Sequence, residues 1–216
     1  MDARYDGHAD WYDTTFHYYG DEDGSAGLLG RLLGPADSDD PVCVDIGCGT
    51  ALHHEVLRAR GYTVIGVDLS ADQLRVAASR NPLVMDLDDF AAAVAEAARI
   101  LRPSGRLVCV GPHPAYVGAF ADRRSEVERH EVRMTAGYGD ERLHRDPSGR
   151  FPLRSRIGVR YPTLSTFLGA FLAQEGLRLS SFTELDTGMR PWRSDTGDGR
   201  VLPWNIAVTA VASARR

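Results

Sequence analysis

The 216-residue chain contains no lysine: its 25 basic residues other than histidine are all arginine. That absence removes lysine Schiff-base chemistry and the phosphate-binding lysine of a P-loop. Cysteine is scarce as well. Cys43, Cys48 and Cys109 lie in or beside apolar runs, with no Cys-x-x-Cys pair among them. A disulfide framework and a zinc site are therefore not expected, no metal ligands are assigned, and a reducing compartment, the cytoplasm, fits. Long apolar runs are missing too: none approaches the ~20 residues of a membrane helix. The opening MDARYDGHADWYD is too polar and acidic to read as a secretory signal. Positive charge is also short. The formal net charge is −5 and no basic stripe dominates, which argues against a nucleic-acid partner.

What is present is an ordinary globular composition, with the length of one α/β domain. Acids crowd residues 1–40, while 121–160 hold ten arginines against seven acids. The bland reading of both is a solvated face. The sharper reading of the second is a lid that touches a polar or anionic substrate.

The hydrophobic pattern organises the chain as one domain in four parts. Residues 1–40 mix aromatics with acids and glycines and read as an N-terminal helical cap. Residues 41–112 alternate strands and helices. VCVDIG (42–47) and TVIGVD (63–68) are short buried strands, ALHHEVLRAR (51–60) is a helix, and Ser70 opens another with Gln73 completing a capping box. Short strand–helix–strand links imply parallel pairing with right-handed crossovers. A helix over about 89–102 stops at Pro103-Ser104-Gly105 and a strand follows over 106–111. Residues 113–162 are polar and weakly periodic. Residues 163–216 hold an amphipathic helix (164–176) and two closing strands (177–185 and 204–212). The expected fold is a Rossmann-like α/β sheet, mostly parallel with an antiparallel C-terminal strand and helices on both faces.

The chemistry concentrates in VDIGCGT (44–50) and VIGVDLS (64–70). Gly47 and Gly49 end a buried strand where the chain turns into a helix, and their bare backbone admits a ligand closely. Such ligands sit at the carboxyl edge of the sheet. Asp68 ends the next strand, where a carboxylate can accept both hydroxyls of a ribose. A dinucleotide fingerprint needs a third glycine, but Leu52 stands at that position. Asp45 stands two residues before Gly47, where it would repel a pyrophosphate and suit a ligand with an ammonium and a sulfonium. Both acids are expected on one shared cleft.

These residues resemble the class I S-adenosylmethionine-dependent methyltransferases of the small-molecule "type 11" kind. Asp45, Gly47 and Gly49 match the first motif, Asp-x-Gly-x-Gly, and Asp68 matches the ribose acid. ARILRPSGRLVCVGP (98–112) resembles the helix–turn–strand block that follows, with Ser104 in place of a glycine. The resemblance implies S-adenosylmethionine as cofactor, S-adenosylhomocysteine as product and a small-molecule acceptor. The cofactor-binding set it implies is Asp45, Gly47, Cys48, Gly49, Asp68, Leu69 and Tyr12, the last as an aromatic that closes over the cofactor. It leaves a homodimer open and gives no role to a membrane.

The chain departs from the family at one place. The helix and central strand that follow the third strand in the family have no counterpart near residues 84–87, which reads either as a natural internal deletion or as an unrecorded mobile stretch of chain. In a sheet ordered 3-2-1-4-5-7-6, that loss exposes two rows of backbone hydrogen-bonding groups or forces 106–111 against 42–46. The resemblance leaves Asp86 as a candidate for the adenine-side acid.

His113, just after strand 106–111, is the candidate general base, with a loop-packing role as its bland alternative. His53 and His54 are expected to be exposed or packing residues. Arg154, Arg156 and Arg160 are candidates for substrate contacts. Two rival functions remain open. One is a catalytically impaired relative serving as a cofactor-binding scaffold, motivated by the deletion. The other is a nicotinamide-dependent oxidoreductase, disfavoured by the missing glycine and the missing lysine. A nucleic-acid methyltransferase is disfavoured by the acidic balance.

Overall fold

The computed structural model describes residues 3–79, 84–85, 90–117, 121–122, 133–134, 137–149, 151–186, 188–191 and 202–214. They fall into two compact units, Met1–Ala93 and Val94–Arg216.

In the first unit, α1 (Ala9–Phe16), a 3-10 turn (His17–Gly20) and α2 (Ser25–Leu33) precede β1 (Val42–Ile46), α3 (His54–Ala59), β2 (Thr63–Val67), α4 (Ala71–Ala78) and β3 (Val84–Met85). The apolar runs form a parallel sheet in the order β1-β2-β3, with Val42 opposite Thr63 and Asp45 opposite Gly66. α3 starts three residues later than its periodicity predicts. Ala51 lies in the left-handed region at φ 65°, which holds 51–53 as a turn. Gly61, at φ 93°, ends the helix where the sequence places the stop.

Gly66 is required by its neighbours. A Cβ there would stand 2.8 Å from both Cys48 Sγ and His54 Cε1. Both of those side chains are buried. Gly66→Ala is expected to destabilise the protein by about 1–3 kcal/mol, as overpacking of a closed interior does. Urea denaturation measures it, and an unchanged midpoint would contradict the crowding.

α5 (Phe90–Ile100) begins in the first unit and continues into the second, which holds β4 (Arg106–Pro112), β5 (Ala121–Asp122), β6 (Arg133–Met134), α6 (Pro152–Arg156), α7 (Leu164–Leu172), β7 (Leu177–Leu185) and β8 (Asn205–Ala212). β8 lies between β4 and β7 and is antiparallel to both, while β5 and β6 pair separately. Val94 of α5 and Phe167 and Phe171 of α7 pack with Ile206, Val208 and Ala210 of β8 as its core. Ser104 adopts φ 64° in the stop after α5, a conformation usually left to glycine, and its N–H donates to Ala212 O.

The β1-β2-β3 sheet and the β4-β8-β7 sheet match the two flanks of the expected strand order. Among the described residues β1 pairs with β2 alone and β4 with β8 alone, so each is the end strand of its own sheet. A ladder between 42–46 and 106–111 is not among the described pairings. Asp86 and most of 118–136 lie outside the described residues.

Candidate functional site

The first unit contains a cavity of about 320 Å3 at the carboxyl ends of β1 and β2. Its size falls in the usual range for small-molecule sites, roughly 300–1,000 Å3. Ile46, Gly47 and Gly49 form one side, Asp68, Leu69, Ser70 and Gln73 a second, and Ala3, Arg4, Tyr5 and Tyr12 a third. Phe90 and Ala93 add apolar surface. Gly47 and Gly49 have φ of 73° and 53°, the left-handed turn that the glycine pattern predicts. Nothing lies within 4 Å of where a Cβ on Gly47 would be, so the open backbone faces space.

Asp68 ties this site together. Its Oδ2 accepts from the Gly49 N–H at 2.8 Å and its Oδ1 from the Ser70 N–H at 2.9 Å. One carboxylate therefore fixes both the glycine turn and the start of α4. Asp68 is also part of the cavity wall.

Asp45 does something different. It is absent from the cavity wall. Its Oδ2 lies 3.2 Å from His54 Nε2 and 3.7 Å from His53 Nδ1. Burial pushes its carboxyl toward the protonated form, but the two imidazoles outweigh burial and hold it well below the usual aspartate range. The two acids expected on one cleft are thus divided. Asp68 faces the cavity, and Asp45 lies behind the turn against the histidines. His54 is fully buried and His53 bonds Ser25 Oγ at 3.0 Å. Both histidines reach one carboxylate because His53 precedes the helix that His54 begins.

The thiol of Cys48 is buried, also outside the cavity wall, and burial pushes its pKa far up. Burial likewise raises Cys43 and Cys109 to about 12. None of the three is a nucleophile at neutral pH.

The N-terminal segment is clasped onto the start of α4. Asp72 Oδ2 accepts from the N–H groups of Gly7 and Ala9 at 3.1 and 3.2 Å, and Ser70 Oγ donates to Asp6 Oδ1 at 2.6 Å. Arg75 then bridges Asp10 and Asp72. These bonds hold Arg4, Tyr5 and Tyr12 at the cavity. The Ser70 hydroxyl keeps the Asp6 carboxyl below its ordinary range, and backbone bonding does the same for Asp72. Tyr12 meets Tyr5 edge-on at 5.8 Å and Phe16 at 4.9 Å. Burial raises its phenol far above the usual value, so it stays protonated.

In the second unit, His113 is buried, with Nε2 3.0 Å from Glu184 Oε1. Its Nδ1 accepts from the Ala115 N–H at 3.1 Å, which places the ring proton on Nε2 toward Glu184. Tyr116 stacks on the ring at 4.6 Å. Glu184 is the more open member of the pair. Arg154 is used internally: Nε and Nη2 donate to Tyr161 Oη at 3.1 and 2.9 Å, and the guanidinium lies 4.6 Å above the Phe151 ring. Arg160 donates to Glu141 O, and Arg156 O accepts from Arg145. Among the described residues no cluster of histidine, cysteine or carboxylate side chains could hold a metal, and no helix is long and apolar enough to cross a membrane.

Sequence reasoning missed Arg4, Tyr5 and Phe90 as cavity residues and took Gln73 for a cap. Only Gln73 carried a local signal. Asp68, two residues before Ser70, was placed to take the Ser70 N–H and displace the glutamine.

Residues 44–86 match the family model described as Methyltransferase domain. No curated protein matches. Among solved structures, an S-adenosylmethionine dependent methyltransferase from Mesorhizobium loti is similar with a TM-score of 0.63 and 19% identity, over 88% of this chain and 99% of that one. Geranyl diphosphate C-methyltransferase from Streptomyces coelicolor A3(2), complexed with Mg2+, geranyl diphosphate and S-adenosyl-L-homocysteine, gives 0.55 and 16%, over 87% and 79%. The 4+2 cyclase SpnF gives 0.54 and 13%, over 89% and 82%. At such identities these likenesses establish the fold, and the cyclase among them is a reminder that one fold hosts several reactions.

Proposed function

We propose that this chain, a class I S-adenosylmethionine-dependent methyltransferase in its matched segment and its fold, moves a methyl group onto a small-molecule acceptor. The observation that carries the reading is the Asp68 carboxylate beside a bare glycine turn, in one cavity with apolar and aromatic walls. Those residues fit the cofactor. Asp68 offers two oxygens to a ribose diol, Leu69 and Phe90 offer apolar surface to a flat base, and Gly47 and Gly49 leave room for the amino-acid part. When bound, S-adenosylmethionine supplies a methyl group already activated by the sulfonium, and S-adenosylhomocysteine is left once the acceptor has taken it.

The work left to the protein is alignment and exclusion of water. Such alignment is worth up to about 7–11 kcal/mol of barrier. Tyr5 and Tyr12, held by the clasp at Asp6 and Asp72, close one side of the cavity. A small acceptor accords with the ligands of similar structures, geranyl diphosphate among them. Protonated, unpaired cysteines accord with the cytoplasm.

Titration calorimetry tests the reading. S-adenosylmethionine and S-adenosylhomocysteine are each expected to bind with a dissociation constant of about 1–100 μM, roughly −8 to −5.5 kcal/mol. Heat from a nicotinamide dinucleotide, with none from either of these two, would reverse the assignment.

A further inference from the structure

The histidine that meets Asp45 with one ring nitrogen meets a serine with the other. His53 turns Nδ1 toward Asp45 Oδ2, at 3.7 Å, and Nε2 toward Ser25 Oγ, at 3.0 Å. Ser25 is the first residue of α2, Asp45 lies in β1 and His53 precedes α3, so the first unit assembles the three from separate elements. None of them lines the cavity. The turn before α2 is tight: Asp21 O accepts from the N–H groups of Gly24 and Gly27 at 2.9 and 3.3 Å. A Cβ on Gly24 would stand 2.5 Å from Tyr18 O, so glycine is what lets the chain bend this sharply into Ser25. Ser25 is half-buried, and its N–H is one of the first of a helix, which have no carbonyl of that helix to bond.

A carboxylate, an imidazole and a hydroxyl in that order form a proton relay. A hydroxyl carries one hydrogen, and Ser25 Oγ has two acceptors for it, Tyr19 O at 3.2 Å and His53 Nε2 at 3.0 Å. The nearer, His53, takes it when the ring proton sits on Nδ1, facing Asp45. Asp45 favours that tautomer because it stays ionised despite its burial, held so by His53 and His54. The Asp45–His53 contact is longer than a hydrogen bond; such contacts are often long in free enzymes and tighten as the reacting group arrives. We propose that Ser25 is an activated nucleophile that takes acyl groups from small esters and passes them to water. Ser25 Oγ attacks the ester carbonyl as its proton moves to His53 Nε2. The Ser25 N–H and the positive end of α2 stabilise the oxyanion that forms. The ester C–O bond then breaks, and the departing alcohol takes the proton from His53, leaving acyl-Ser25. Water attacks the acyl carbon, gives one proton to His53 and releases the acid, and Ser25 recovers its proton from His53. The donor is small because Ser25 and His53 are each only partly open. This activity is separate from methyl transfer and uses no residue of the cavity wall.

A fluorophosphonate tests this on the intact chain, since it phosphonylates a serine and loses fluoride only where the hydroxyl is activated. Peptide mapping is expected to find the label on Ser25, and p-nitrophenyl acetate should acylate the same residue. Ser25→Ala should lose the label. His53→Gln should label about 10²–10⁴-fold more slowly, the usual contribution of a general base. Urea-denatured wild type should not react, which separates activation by the fold from the reactivity of the bare side chain. Asp45 acts through His53, so its readout is the 15N spectrum of that ring. The wild type should show the ring proton on Nδ1, and Asp45→Asn should lose that preference. A folded wild type that stays unlabelled at Ser25, a wild-type ring proton on Nε2, or labelling of His53→Gln at the wild-type rate overturns the proposal. The reading of the cavity as an S-adenosylmethionine site rests on other residues and survives each of those results.

Discussion

Asp68→Ala is expected to lower affinity for S-adenosylmethionine and S-adenosylhomocysteine by at least about 100-fold, since each lost hydrogen bond to a charged group is worth about 1.5–3 kcal/mol. Two effects combine in that number. One is loss of the acceptor for the ribose hydroxyls. The other is release of the Gly49 and Ser70 N–H groups that Asp68 holds at 2.8 and 2.9 Å. They are separable. A cofactor analogue lacking the ribose hydroxyls should bind wild type poorly, and Asp68→Ala should no longer distinguish it from the parent. If the mutant still prefers the hydroxylated form by the wild-type factor, the carboxylate serves only the loops. Asp68→Asn retains one acceptor oxygen for the backbone. It should recover part of the thermal stability and little of the affinity.

The same carboxylate illustrates what the chain discloses in one dimension. Gly47, Gly49 and Asp68 were legible because strand, turn and acid lie on short continuous stretches whose periodicity fixes where each strand ends. The parallel pairing of β1 and β2, with a short helix between, followed from the same stretches. Other features depend on contacts that no periodicity encodes. The clasp joins Asp6 to Ser70 and Gly7 to Asp72 across more than sixty residues. Nothing local in MDARYDGHAD announces those partners, so Arg4 and Tyr5 could not be assigned to the cavity. Gln73 misled for a different reason. The Ser70–Gln73 spacing satisfies a cap rule, yet Asp68 reaches the same N–H first, and the rule does not know of the competitor. Asp45 matched a motif by position, but what a buried carboxylate faces is decided by the nearest imidazole.

His54→Leu is the variant with the largest expected effect on stability. His54 is fully buried with its Nε2 3.2 Å from Asp45 Oδ2, and Gly66 leaves the room it occupies. Leucine would remove the closer of the two groups that hold the Asp45 carboxyl ionised against its burial. Taking a partner away from a buried carboxylate costs about 3–5 kcal/mol, because the charge that remains loses its compensation. The pH dependence identifies the cause. In the wild type the folded-state pKa of Asp45 is depressed, so its contribution is fully present above the ordinary aspartate value, about pH 4, and is lost as pH falls through and below it. The stability gap between wild type and His54→Leu should therefore be widest at neutral pH and narrow below about pH 4, where Asp45 in the variant takes up a proton. Urea denaturation across that range measures the gap. A gap that does not change with pH would mean that His54 contributes only its volume, and the double variant Asp45→Asn/His54→Leu distinguishes the two. It should be more stable than His54→Leu alone if charge is the reason, and no better than it if packing is.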